Sequence, residues 1–361
     1  MAILGALAAV CLLPGCTSSS LRCPDDPVAA KTPGRDPYFQ PYNSIPKPRL
    51  GSIPRPGPLT FFATADPNQL GNHAYGRSPS GANQETDRGI IYTVHGGFID
   101  IAHLRKSADW TVFNQVRIHY ALENGWQCIM LPSKEGAVFR IRFNYPASWN
   151  TMDASRRQGV IYALSIRMAQ RLAVTQTAWH EIATWFGYSA TLYPEKPSAL
   201  TYDDMTSHLL GAKIAGLALH DRSRDYNTAV TWHLKQELDR LGPVSPEQTL
   251  KALDMVKNKW WANGLVTKRM LDLGEKTGAI QPWIVPGYPD GTTAAGIPFP
   301  IPSLKEVAGQ DMSGFEQVDF APNILQWGKM RRILPGNPSR CQPARDFPLL
   351  LQYIRQHESK Q

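Results

Sequence analysis

Between residues 153 and 186 apolar side chains return at helical intervals. Ile161, Leu164, Met168, Leu172, Thr175, Trp179, Ile182 and Phe186 fall on one face, which predicts a long helix with a core-facing stripe, begun at Asp153 and stopped by Gly187. A second helical pattern follows Asp100, a suitable N-cap, with Ile101, Leu104, Ala108, Val112 and Val116 in phase and Gly125 beyond the end. Arg105 and Asp109 read there as a solvated i,i+4 pair contributing roughly 0.3–0.5 kcal/mol. The pattern changes to a period of two after Gly125. Residues 126–131 and 137–145 predict a hairpin around a Gly136 turn, with Phe139, Ile141 and Phe143 inward and Arg140 and Arg142 on a wet face.

Further along, Thr201 and Asp204 have the spacing of a capping box. The helix they start carries Gly211, Ala212, Ala215 and Gly216, small residues that admit a close neighbour, expected to be the preceding long helix. Helices are also expected over residues 226–241, 246–263, 268–274 and 347–356. Residues 90–94 and 315–320, and the run 324–334, read as short strands. Together these elements predict an α+β fold: a mainly helical core with a small antiparallel sheet in a single main domain over residues 89–361.

The chain before that domain is of another kind. Residues 2–13 are apolar for about the length of a signal-peptide core and too short to span a bilayer as a mature helix. Leu13-Pro14-Gly15-Cys16 closes them with the pattern of a bacterial lipobox, which makes residues 1–15 a signal peptide and Cys16 the lipidation site. Thr17 lacks the acidic character of an inner-membrane retention signal. The expected location is therefore the periplasmic face of the outer membrane, with the N-terminal lipid as the membrane contact. Residues 16–88 read as a tether and loop, since ten of the chain's 30 prolines lie between Pro24 and Pro58. Tyr38, Phe39 and Tyr42 favour partial docking of that tether. With Cys11 leaving in the signal, Cys23, Cys128 and Cys341 remain in an oxidising compartment. Cys23 and Cys341 are favoured as the disulfide pair, and Cys128 as a buried small hydrophobe in its strand.

Charge narrows the partners. The formal net charge of +8 suits anionic envelope polymers or lipid headgroups. Nucleic acid is not expected, because no basic run interleaved with aromatics and no zinc-finger spacing occurs. There is also no G-x-S-x-G elbow, P-loop or dinucleotide fingerprint. Cys128 in an apolar strand would be a poor nucleophile.

The remaining chemistry is carboxylate and imidazole. His180-Glu181 resembles half of H-E-x-x-H, the zinc-protease helix, but Thr184 occupies the position of the second histidine. Any metal must draw ligands from elsewhere. Asp100 and His103 share the first turn of one helix, and Asp203, Asp204 and His208 lie at the start of another. Should these helices converge, Asp100, His103 and His180 can bind zinc or another divalent metal, with Glu181 as catalytic base for hydrolysis of a cell-envelope substrate. The same residues also serve as caps and packing contacts in a non-catalytic binding or scaffolding lipoprotein.

In this order and behind a lipobox, HGGFIDIAHLRKSADWT, WHEIATWFGYS and LTYDDMTSHLLGAKIAG resemble a family of uncharacterised bacterial lipoproteins known only as a domain of unknown function. The resemblance covers roughly residue 89 to the C-terminus. It implies a shared polar site around Asp100, His103, His180 and Glu181, and no particular reaction.

Overall fold

The computed structural model describes residues 23, 42, 44–49, 51, 64–76, 88–189, 195–262, 265–274, 276–291 and 293–358. Cys16, the apolar leader and most of the proline-rich stretch lie outside them. Among the described residues, no helix is long and apolar enough to cross a membrane.

The centre is α1, Ile101–Glu123, which follows directly on a short hairpin of β1, Ile90–Thr93, and β2, Gly97–Asp100. The sequence suggested only the first of these strands, because His95-Gly96-Gly97 reads as a break; it is the turn of the hairpin. Asp100 ends β2 and caps α1, its carboxylate accepting from Ala102 N at 2.7 Å and His103 N at 3.1 Å. These bonds satisfy amide donors that the first helical turn cannot pair internally.

Twenty residues of α1 are buried, among them Arg105, Lys106, Asp109 and Arg117. A helix buried on nearly every side must answer each charge. Asp109 is fully buried and meets Arg49 Nε at 2.9 Å and His73 Nε2 at 3.1 Å. Arg105 donates to the Gly71 carbonyl. The expected solvated Arg105–Asp109 pair is thus replaced by three contacts to the chain preceding the domain. Tyr42, from the same region, packs edge-on against Tyr75 and Tyr226, with ring centroids 5.1 and 5.5 Å apart.

Two helices enclose α1. The first is α2, Ala154–Trp185, begun as expected by Asp153, whose carboxylate accepts from Arg156 N at 2.9 Å. Trp179 on its stripe is fully buried against Phe320 and Phe347. The second is α3, Asp204–His220. Its small residues serve two neighbours. A Cβ on Gly211 would stand 2.0 Å from the Leu104 carbonyl oxygen of α1, and one on Gly216 would stand 2.2 Å from the Gln170 amide of α2. Of the expected capping box only half forms: Thr201 N donates to Asp204 Oδ2 at 2.6 Å, while the Thr201 hydroxyl turns to Asp203 Oδ1 at 2.8 Å.

Outside this trio, β3 (Cys128–Pro132), β4 (Val138–Phe143) and β9 (Glu316–Ala321) form an antiparallel sheet in that order. Arg140 and Arg142, read as a wet face, converge with Arg340 on the Asp319 carboxylate of β9. Two further pairs, β5–β6 (Trp261–Ala262, Leu265–Val266) and β7–β8 (Ala279–Ile280, Phe299–Pro300), have two residues per strand. The remaining helices are α4 (Tyr226–Leu241), α5 (Pro246–Met255), α6 (Ile324–Met330) and α7 (Pro343–Glu358). The architecture is therefore α+β with a helical core, as predicted.

Four local expectations fail. The helix expected over residues 246–263 ends at Met255, and Trp261–Ala262 belong to β5. Residues 268–274 are irregular, tied to the body by Met270 N donating to the Leu200 carbonyl. The run from residue 324, read as a strand, is α6; a short apolar run alone does not separate helix from strand. The disulfide joins Cys23 to Cys128, not to Cys341, which is a buried free thiol. The strand position of Cys128 that suggested a packed hydrophobe instead leaves its sulfur within reach of the N-terminal segment.

The approach at Gly211 yields a direct test. Gly211→Ala is expected to lower unfolding free energy by about 3 kcal/mol or more, because backbone must move to admit the methyl. Gly159→Ala in α2, where a Cβ meets nothing within 4 Å, should raise it by roughly 0.5–1 kcal/mol. Denaturant titration of both variants reads the difference, and a Gly211→Ala protein as stable as the parent contradicts the packing.

Candidate functional site

The starts of α1 and α3 and the last turns of α2 border one cleft with a cavity volume of about 60 Å³. Its lining includes His103 and Lys106 from α1, His180, Glu181 and Thr184 from α2, and Thr201, Tyr202, Asp203 and Asp204 at the start of α3. Lys134 reaches it from the β3–β4 turn, and Arg49 and Gly51 from the preceding chain. The convergence on which the sequence reading depended therefore takes place.

Backbone contacts fix it. Asp100 N donates to Ser207 Oγ at 2.9 Å, Ser107 Oγ donates to the His208 carbonyl at 2.7 Å, and His208 Nδ1 lies 3.2 Å from the His103 carbonyl. The His103 and His208 rings consequently stack, with centroids 5.0 Å apart and planes 29° from parallel. His103 Nδ1 then faces Asp204 Oδ1 at 3.1 Å. Asp100, His103 and Asp203 each offer a ligand atom, and those atoms all lie within 4.8 Å of one another.

The sequence had grouped Asp100 and His103 with His180. The structure places His180 in the same cleft, but its Nδ1 sits 2.8 Å from Glu135 Oε1 on the β3–β4 turn. Glu181 points elsewhere, as consecutive helical residues must. Its Oε2 accepts from Leu200 N at 3.1 Å, and its Oε1 lies 3.9 Å from His208 Nε2. Thr184, where the metalloprotease pattern has histidine, is buried on the cleft wall, and among the described residues its hydroxyl has no hydrogen-bond partner. Asp203 was read as part of the α3 start, and nothing local marked it as a partner of Asp100 and His103. Glu135 went unnoticed for a similar reason: a carboxylate in a hairpin turn ordinarily faces water.

Electrostatics in the cleft are set by crowding of acids. Burial alone would lower the His103 imidazolium, but the charge of Asp100 and the hydrogen bond and charge of Asp204 outweigh it and raise its pKa to about 9. Asp203 moves up to about 8, through burial first and then the neighbouring Asp204 and Asp100 charges. Burial also works to raise Asp204, yet the hydrogen bond and charge of His103 hold it below the usual carboxylate range. Glu181 is pushed well up by burial and by Asp204. His180 and His208 are pushed well down, chiefly by burial, and stay neutral. Among these acids and imidazoles the positive charge thus sits on His103, and protons stay on acids that cannot all ionise together.

The fold and cleft define an α+β protein with a helical core and a buried carboxylate–imidazole cluster. The profile of a family described as a protein of unknown function, DUF4056, matches residues 47–273, well over half of the chain, and the chain belongs to that family. The match begins within the proline-rich stretch, earlier than the resemblance read from the three motifs, and ends before the C-terminal sheet strand and helices. It spans every cleft residue named above. No curated protein and no solved structure matches the chain.

Lys134 offers a check on the cleft's interior. Burial, with the charge of Lys106 acting in the same direction, lowers its pKa from 10.5 to about 8 against the opposing pull of Glu135, Glu195 and Glu181. The fold therefore disfavours the charged form. Its destabilising effect is fullest below pH 8 and fades as pH rises from 8 toward 10.5. Lys134→Met should accordingly stabilise the protein below pH 8 and lose that advantage toward pH 10. In protein with ¹³C-methylated lysines, an NMR titration should place the Lys134 midpoint near 8; a midpoint above 10 contradicts the environment described.

Proposed function

We propose that the cleft binds a divalent cation, zinc or a similar ion, through Asp100, His103 and Asp203, and that the protein is a metal-dependent hydrolase. One observation carries this reading: residues from two different helix starts present three ligand atoms within 4.8 Å of one another, and two of the three residues, His103 and Asp203, line the cleft. An oxygen-rich set with one imidazole suits a borderline or hard divalent ion. Asp204, paired with the His103 ring, orients it as outer carboxylates commonly orient ligating histidines. Among the described residues the Thr184 hydroxyl and His208 Nε2 make no hydrogen bond, and a ligand or its water can satisfy them. A divalent ion would supply Lewis acidity and activate water. Glu181, buried nearby, is the acid–base group; its upward shift toward neutrality is the direction that proton transfer requires. His180 is assigned to positioning, through Glu135, and not to the ion.

The proposal includes location. Lipidation at Cys16 would hold the protein at the periplasmic face of the outer membrane, where a cell-envelope substrate and anionic polymers are at hand. The lipobox pattern of residues 13–16 supports this, as does the Cys23–Cys128 disulfide, a bond typical of oxidising compartments.

Metal content of the purified full chain, measured by plasma mass spectrometry after loading and dialysis, tests the reading. About one ion per chain is expected in the parent, in His180→Ala and in Glu181→Gln, with His103→Ala and Asp203→Asn retaining less than a tenth of it. A parent that stays metal-free, or both ligand variants still loaded, would favour the scaffolding alternative.

A further inference from the structure

Among the buried cations of α1, one stands apart. Arg105 donates to the Gly71 carbonyl, and Arg117 donates to the Tyr42 and Phe113 carbonyls while lying 3.5 Å above the Phe113 ring. Lys106 is 3% exposed and lines the cleft one helical turn beyond His103. Among the described residues, no hydrogen bond and no carboxylate within ion-pair distance holds its ammonium. Lys134, half-buried on the opposite element, lines the same cleft and is equally without a direct partner there. The arginines of the sheet contrast with both, since Arg140, Arg142 and Arg340 are already gathered on Asp319. Glu135 and Glu181 act on Lys106 only through space, so a fold that gives the other buried cations of this helix direct partners leaves this one bordering a cavity.

We propose that the cleft takes a phosphate-bearing substrate, whose phosphate group is held by the ammonium groups of Lys106 and Lys134 beside Asp100, His103 and Asp203. This deepens the hydrolase reading and rests on it for the reaction, though not for the binding. The choice of phosphate follows from charge and shape. Two lysines are compact point charges that together match a phosphate carrying close to two negative charges, whereas a singly charged carboxylate is met best by the flat two-pronged fork of one guanidinium. Glu135, Glu181 and Glu195 act on Lys134 through space and offset its charge. They leave the ammonium hydrogens free to turn toward an incoming oxyanion.

The test uses the full chain treated with chelator, so that its outcome is independent of metal binding. Inorganic phosphate titrated calorimetrically should bind one equivalent. Lys106→Met should weaken it at least tenfold and Lys134→Met several-fold, while metal loading of both variants stays at the parent level. Sodium acetate should bind far more weakly than phosphate. Should Lys106→Met fail to fold, Lys134→Met, a half-buried turn position, carries the comparison. Phosphate that does not bind, that binds both variants as it binds the parent, or that acetate matches in affinity overturns the proposal. Loss of metal with phosphate binding intact would instead remove the hydrolase reading alone.

Discussion

The structure depends on how closely α1 and α3 cross. Gly211 lets the Leu104 carbonyl come so near that any side chain would collide with it. With the helices at that distance, the Ser207 hydroxyl reaches the Asp100 amide and the Ser107 hydroxyl reaches the His208 carbonyl. These are short bonds between fixed positions, and they set the relative register of the two helix starts. The stacked His103 and His208 rings and the facing acids of Asp100, Asp203 and Asp204 are consequences of that register. A looser crossing would leave three caps and two packing histidines, each with an ordinary role and no common cavity.

Burying so many ionisable groups together has its own requirements. Two carboxylates in contact cannot both ionise cheaply in a poorly hydrated space, so protons are redistributed. His103 keeps its charge, Asp204 ionises against it, and Asp203 and Glu181 are shifted toward the protonated state. Such an arrangement is an unlikely means of gaining stability, since apolar residues of similar volume would fill the space at lower cost. Its physical sense is chemical: a surplus of oxygen ligands around one imidazole is a place where a multiply charged cation can replace protons. Lys106 and Lys134 line the same cleft.

Much of this was legible in the sequence, and the limits follow a physical line. Helix starts at Asp100 and Asp153, the stop at Gly187, the β3–β4 hairpin and the inward face of β4 are governed by neighbouring residues, and all were read correctly. The pairing of Asp100 with His103 is likewise local, three residues apart on one turn. Asp203 joins them only through the α1–α3 crossing, and Glu135 reaches His180 only through the fold of a hairpin turn, so neither contact has a signature in spacing. The half-formed H-E-x-x-H pattern put His180 forward as a ligand, and sequence shows its helix face but not its tertiary neighbour Glu135, 2.8 Å from the ring. The disulfide was misjudged for the same reason: Cys128 sits in an apolar strand, yet its neighbour is set by tertiary structure. Lys106 carried no signal of its own in the sequence, and its burial follows from α1 being enclosed almost all round.

Crystals of the full chain soaked in zinc, with data collected on both sides of the zinc absorption edge, address the central claim most directly. The account requires one anomalous peak in the cleft, about 2.0–2.2 Å from an imidazole nitrogen of His103 and from carboxylate oxygens of Asp203 and Asp100. A cleft without a peak, or an ion bound by His180 and Glu135 with Asp203 turned away, would contradict it.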